Sequence, residues 1–359
     1  MTTTINNEHK KLNVPNLRFP EFQGEWEKCK FKDVCSTSTG NKNTQDKIDD
    51  GIYPFYVRSQ TVERINSWTF DGEAILTAGD GVGVGKVFHH TYGKIGVHQR
   101  VYILSNFKCD ANYLFHFFSS NFYNRVKRMS AKNSVDSVRK EMITEMPLYL
   151  PSEQEQTKIG VLLSLLDERI ATQNKIIDKL QSLIKGIGKQ LFMDNQNWRT
   201  VKIGELLRIG NGKDYKHLSI GKIPVYGTGG QMLLVNDYLY DGESVCIGRK
   251  GTIDTPMFLK GKFWTVDTLF YTYDFKDVLP KFCYYLFLQI NWKLYNEGTG
   301  VPSLSKSTIE NIKVKIPSLE QQQKICSILD CYEHKTNNEE QILELYHSEK
   351  QYLLRQMFI

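Results

Sequence analysis

In residues 151–192 the apolar positions recur at alternating steps of four and three: Ile159, Leu163, Leu166 and Ile170, then Ile177, Leu180, Ile184, Ile187 and Leu191, with Gln173 as a polar gap. That spacing puts them on one face of a long helix and marks the seam of a helix pair. The pattern returns in residues 317–358, where Ile325, Leu329, Tyr332, Leu343, Tyr346, Leu353 and Met357 keep the same register around a polar middle at Thr336 and Glu339. A constant shift of 166 lays Pro151 on Pro317, Ser152 on Ser318, Gln156 on Gln322, Lys158 on Lys324 and Phe192 on Phe358. The seam therefore has a partner inside its own chain. Pro-Ser before each run, followed by Glu153, Glu155 and Glu320, predicts a serine N-cap with acids in the first turn. At about 1.5 Å per residue each helix reaches roughly 60 Å. One copy alone would fit a plain core helix pair joining a dimer; two copies of equal length favour a measured spacer.

The rest of the chain is duplicated more loosely. Trp26-Glu-Lys-Cys-Lys-Phe-Lys-Asp-Val answers Trp198-Arg-Thr-Val-Lys-Ile-Gly-Glu-Leu, each predicting a short strand running into a short helix. Tyr53-Pro-Phe-Tyr answers Ile223-Pro-Val-Tyr, and Asp71-Gly answers Asp241-Gly, a dipeptide that predicts a tight turn before the following strand. Further strands are expected within residues 96–104 and 265–273, and buried aromatic helices at residues 112–118 and 282–288. Insertions fall only in these globular parts. The expected layout is a loose leader at residues 1–25, a β-rich unit at 26–150, a helix at 151–192, a second β-rich unit at 197–316 and a second helix at 317–359. The expected fold class is α+β: two β-rich domains, each followed by a long helix, the helices pairing as an antiparallel coiled coil with pseudo-twofold symmetry.

Charge and cysteine usage narrow the partners. Residues 26–150 hold 17 Lys/Arg against 13 Asp/Glu and residues 197–316 hold 16 against 11, whereas residues 318–359 hold 4 against 7. Basic globular halves suit a polyanion, and the helices suit protein. Seven Cys without a Cys-x-x-Cys pair read as reduced cytosolic thiols, neither a disulfide frame nor a zinc site. No apolar run has the length of a membrane span, and residues 1–11 lack a signal-peptide core, so a cytoplasmic protein is expected.

Catalytic patterns fail one by one. Gly79-Asp-Gly-Val-Gly-Val-Gly-Lys86 is not a phosphate loop, because Asp80 stands six before Lys86 and Val87 follows it. There is no Pro-Pro pair for an amino-methyltransferase loop; Glu-x-Lys occurs only at Glu8 to Lys10 and Glu333 to Lys335, and the eight His show no ligand spacing, His89-His90 reading as a solvated turn pair. What remains are polar and basic groups on loops among aromatics: Arg58, Ser59, Gln60, Arg64, Lys86, His89, His90, Lys94 and Arg100 in the first unit, and Thr228, Gln231, Arg249, Lys250, Lys260 and Lys262 in the second. Arg and Gln can read base edges bidentately and Lys can hold phosphates. Singly each suits a solvated surface; as a set recurring in both units they point to DNA. The other classes left open are a DNA-modifying enzyme with an unrecognised site and a duplicated protein-binding adaptor.

The unit endings, Gly298-Thr-Gly-Val-Pro-Ser-Leu304 before Ile316-Pro-Ser-Leu-Glu-Gln-Gln-Gln-Lys-Ile325 and Met146-Pro-Leu-Tyr-Leu-Pro-Ser-Glu-Gln-Glu-Gln-Thr-Lys-Ile159, together with Asn16-Leu-Arg-Phe-Pro-Glu-Phe and Trp26, resemble the specificity subunits of type I restriction-modification systems. The first unit departs from the pattern with Asn133-Ser-Val-Asp-Ser-Val138 where the second has Thr299-Gly-Val-Pro-Ser-Leu304. The resemblance implies two target-recognition domains that each read half of a bipartite duplex target. It implies helices that set the gap and dock two methyltransferase subunits, and restriction subunits bound through them. It also places S-adenosylmethionine, ATP and Mg chemistry in those partners and none in this chain.

Overall fold

The computed structural model describes residues 13–130, 137–193 and 197–359. The first half runs β1 (Glu27–Lys30), α1 (Phe31–Val34), β2 (Ser36–Thr39), β3 (Tyr53–Tyr56), β4 (Val62–Ile65), β5 (Phe70–Ala78), β6 (Phe88–Val97), β7 (Val101–Ser105), α2 (Ala111–Met129), α3 (Lys140–Thr144), β8 (Pro147–Leu150) and the long α4 (Glu153–Met193). The second runs β9 (Arg199–Lys202), α5 (Ile203–Leu206), β10 (Arg208–Asn211), β11 (Ile220–Gly227), β12 (Gly230–Val235), β13 (Tyr240–Gly248), β14 (Met257–Thr265), β15 (Leu269–Tyr273), α6 (Pro280–Gln289), α7 (Lys306–Asn311), β16 (Lys313–Ile316) and the long α8 (Leu319–Gln356). Two six-stranded sheets share one order, β2-β7-β5-β6-β3-β4 and β10-β15-β13-β14-β11-β12. Both include a parallel pair, β3 with β6 and β11 with β14. The duplication seen in the helices thus extends through the globular halves, where little sequence identity survives.

The chain divides into two units, Met1–Asn174 with Ile342–Ile359, and Lys175–Gln341, so each unit holds part of both long helices. In the first unit Ile159 and Leu163 of α4 share a core with Met357 and Phe358, and Lys350 is ion-paired to Asp167. In the second, Ile325 and Leu329 of α8 pack with Ile187 and Leu191, and Gln181 donates to Glu340 at 3.5 Å. Rising numbers on α4 meet falling numbers on α8, so the helices run antiparallel. Burial follows the seam: Leu163 is 0% exposed, Ile177 7% and Leu329 1%, whereas Leu165, two residues from Leu163, is 52% exposed. Gln173 and Thr336 are buried as well, so the expected polar gap is part of the packed face. His116 of α2 lies beside this seam, its Nε2 3.2 Å from Ser164 Oγ, and burial lowers its pKa to about 4, leaving it neutral at pH 7.

A repeated glutamine ties each helix start to its domain. Gln156 donates to Pro151 O at 2.8 Å and accepts from Asp110 N at 3.0 Å at the head of α2. Gln322 donates to Pro317 O at 3.1 Å and Asp277 O at 3.0 Å, and accepts from Leu279 N at 2.8 Å at the head of α6. Both side chains are buried. Gln156→Ala and Gln322→Ala are each expected to lower the denaturant midpoint, at about 1–3 kcal/mol for every main-chain group left unpaired. The exposed neighbour change Gln323→Ala should cost under about 0.5 kcal/mol.

Two expectations give way. Asp71-Gly and Asp241-Gly are not turns but lie inside β5 and β13: Gly72 (φ 136°) pairs across the ladder with Gly93 (φ 92°), and Gly242 (φ 150°) with Gly261 (φ 86°). Paired glycines admit a positive φ on both strands where a Cβ would forbid it. The leader is not loose over residues 13–25: Arg18 bonds Glu155, itself fully buried, at 2.7 and 2.8 Å, and Leu17 N donates to Gln356 O at 2.8 Å. Glu8 to Lys10 lies outside the described residues.

Candidate nucleic-acid interface

Three connections of each six-stranded sheet are brought together into one loop end by main-chain bonds that recur position for position. In the first unit they are residues 57–61, 79–87 and 98–100. His98 N donates to Tyr56 O at 3.0 Å, Gly79 N to Arg100 O at 2.7 Å and Val138 N to Gly79 O at 2.7 Å. In the second they are residues 228–229, 249–256 and 266–268. Val266 N donates to Tyr226 O at 3.0 Å, Arg249 N to Thr268 O at 2.8 Å and Leu304 N to Arg249 O at 2.9 Å. A β-bridge closes each assembly, Asp80 with Ser137 and Lys250 with Ser303. The Gly298-Thr-Gly-Val-Pro-Ser-Leu304 turn therefore braces the loops from behind. Ser137-Val138 does the same in the first half despite its different sequence, and residues 133–136 lie outside the described residues. Because the framework is backbone to backbone, the side chains at the tips can differ without dismantling it.

They do differ. In the first unit Asp80 Oδ1 accepts from Arg58 Nη1 at 2.8 Å, and Asp80 Oδ2 lies 3.6 Å from Arg100 Nε, so one carboxylate orients two exposed guanidinium groups. His89 Nε2 sits 3.2 Å from Ser59 O, and His98 Nδ1 accepts from Arg100 N at 3.0 Å. Burial lowers the pKa of His89; burial and then the charge of Arg58 lower that of His98, so both stay neutral beside the arginines. In the second unit the position of Asp80 is taken by Lys250, and neither Lys250 nor Arg249 has an ion pair among the described residues. Thr228 stands opposite Gly251, whose added Cβ would lie 3.8 Å from the hydroxyl. At Gly83 a Cβ would meet Arg58 O at 2.4 Å, so only glycine lets the two loops approach this closely. The glycine-rich run at 79–86 is packed against Arg58 and Tyr123 and is no open phosphate cradle. Val82 (97% exposed) and Val301 (63%) add apolar tips of the kind that touch a thymine methyl.

Of the residues predicted from sequence, Arg58, Ser59, Gln60, Lys86, His89 and Arg100 gather at this end of the first unit, and Thr228, Gln231, Arg249 and Lys250 at that of the second. Others stand apart. Arg64 donates to Gly51 O at 2.9 Å and Ile52 O at 3.1 Å, stitching β4 to a loop. His90 stands in strand β6, bonded to Glu73 at 3.0 Å and stacked on Phe115 at 5.5 Å; it and His89 are ladder residues, not a solvated turn pair, and only His89 reaches the loop end. Lys94 pairs with Asp71 on the ladder within β6, outside the three connections, with its amine 5.2 Å from the Trp68 ring. Lys262 pairs with Asp241 at the matching place in β14, its amine 4.7 Å from the Tyr238 ring, and Lys260 is paired with Glu243 at 3.1 Å. Asp80 escaped the sequence reading; its signal was an acid facing a base, Lys250, at the shift of 170 that joins the two Asp-Gly pairs.

A family model described as the type I restriction modification DNA specificity domain matches residues 23–182 and again 195–345. The chain belongs to the family of type I restriction-modification specificity subunits. It is 25% identical over 397 residues to the MjaVIII specificity subunit of Methanocaldococcus jannaschii, covering 91% of this chain and 90% of that one. It is 27% identical over 161 residues to the EcoDI specificity subunit of Escherichia coli, there covering 45% of this chain and 35% of that one. The crystal structure of an S subunit from M. genitalium superposes with a TM-score of 0.71 at 18% identity, covering 96% of this chain and 99% of that one, which shows the shared specificity-subunit fold. The duplicated DNA specificity domain of that family is what the two loop ends belong to. No helix among the described residues is long and apolar enough to cross a membrane, and no cluster of three metal-ligating side chains occurs among them.

Proposed function

We propose that the chain reads a bipartite DNA target, one half with each loop end, while the paired helices set the unread gap and dock two methyltransferase subunits, with restriction subunits joining through them. The methyl-transfer and ATP chemistry, with S-adenosylmethionine and Mg, belongs to those partners. The observation that carries this reading is that one backbone framework is built twice and dressed differently, Arg58-Asp80-Arg100 in the first unit and Thr228-Arg249-Lys250 in the second. A repeated frame with unlike tips suits two readers of unlike sequence. Coupling them rigidly turns two weak half-site contacts into one tight site through effective concentration.

The test is the double change Arg249→Ala with Lys250→Ala in the full chain, assembled with its methyltransferase subunits. Affinity for the target duplex is expected to fall about tenfold or more, and the slope of log affinity against log salt to shrink by about 1–2 as two cations leave the interface. Unchanged affinity and slope would remove this loop end from the DNA.

A further inference from the structure

The first unit fills with its own leader a groove that the second unit leaves open. In the first unit Phe19, Leu162 and Leu353 pack against the core that includes Trp26, and Lys158 is bonded to Glu21 with its amine 4.4 Å from the Phe19 ring and 5.9 Å from that of Phe22. Trp26 in that core is 2% exposed. The internal shift carries Glu155, Lys158, Leu162, Leu353, Met357 and Trp26 onto Gln321, Lys324, Ile328, Ile187, Leu191 and Trp198. These six line a groove of about 510 Å³, in which Ile328 is 42% exposed and Trp198 only half-buried. Among the described residues no leader-like segment lies over it.

The differences between the two grooves say what the open one takes. Lys324 keeps the cation of Lys158, and among the described residues its one ion-pair partner is the exposed Glu320 at 2.7 Å. Gln321, exposed and neutral, replaces the buried Glu155 that anchors Arg18. A second copy of this chain is a poor occupant, since its leader would have to abandon Glu155 as an unpaired buried carboxylate. We propose that the groove receives an extended segment of a different polypeptide with an aromatic-acid-aromatic pattern. Its carboxylate meets Lys324, its rings cover Ile328 and Trp198, and a neutral residue faces Gln321. This inference stands apart from the reading of the DNA loops and holds or fails without them.

The probe is a fluorescent peptide with the sequence of residues 13–25 carrying Arg18→Gln, titrated into the full chain by anisotropy. Saturable binding is expected, weakened at least about tenfold by Ile328→Glu and by Lys324→Glu. Binding to the Lys324→Glu chain should return when the peptide also carries Glu21→Lys. Both chain positions are exposed, and if Ile328→Glu fails to fold the Lys324–Glu21 charge exchange still decides. Absence of saturable binding overturns the proposal, as does binding insensitive to both variants, which would mean exchange with the leader in the first unit. A concentration-dependent dimer lost in Ile328→Glu would assign the groove to a second copy and overturn it equally.

Discussion

Leu163→Asp is expected to abolish folding of the first unit at 25 °C, whereas Leu165→Asp two residues away is expected to shift the unfolding midpoint hardly at all. Leu163 is fully buried between α4 and the core that includes Phe117, Met357 and Phe358. Truncating such a leucine costs about 2–5 kcal/mol before any charge is introduced. Placing a carboxylate there without a partner adds several kcal/mol more, which together matches the entire stability of an ordinary domain, about 5–15 kcal/mol. Leu165 is 52% exposed, and a polar residue there should cost about 0.5 kcal/mol or less. Thermal unfolding followed by circular dichroism separates the two; equal effects would mean that the heptad face is not what holds the helices.

Lengthening the helix pair is the second large effect. Four residues inserted within 170–177, with four at the equivalent place within 336–343, add about 6 Å of rise to each helix and turn the later part by about 40°, so the seam stays in register. Two residues in each instead turn it by about 200° and throw the apolar face outward. The four-residue chain is expected to fold and, in the assembled complex, to lengthen the unread gap by about two base pairs at about 3.4 Å each. The two-residue chain is expected to lose methylation altogether. Sequencing methylated adenines reads both outcomes, and an unaltered gap in the four-residue chain would take the spacer role away from the helices.

The seam was legible because helical burial is written locally, at steps of three and four: Ile159, Leu163, Leu166, Ile177, Leu180, Ile325 and Leu329 are buried, and Ile170, Ile184, Tyr332, Leu343, Tyr346 and Leu353 partly so. The clamp of Gln156 and Gln322 could be seen as a repeat but not as a bond, since its partners at Asp110 and Leu279 lie more than forty residues away. Asp71-Gly misled for the same reason: the dipeptide announces a turn, yet Gly72 answers to Gly93 across a ladder. Composition could collect Lys94 and Lys262 with Arg58 and Arg249 but not place them: ladder register sets Lys94 opposite Asp71 and Lys262 opposite Asp241, inside strands, with their amines over Trp68 and Tyr238. The leader was read as loose from its prolines and polar residues, whereas its order comes from Glu155, 137 residues from Arg18. Asp80, which orders Arg58 and Arg100, looked like a failed phosphate loop; only the fold sets its carboxylate 2.8 Å from Arg58, 22 residues earlier in the chain.

The most direct test of two independent readers on one frame exchanges residues 26–150 for the corresponding unit of another family member and sequences the methylated sites of the assembled complex. One half of the target is expected to change while the other half and the gap remain as they were. A change in both halves, or in neither, would contradict the account.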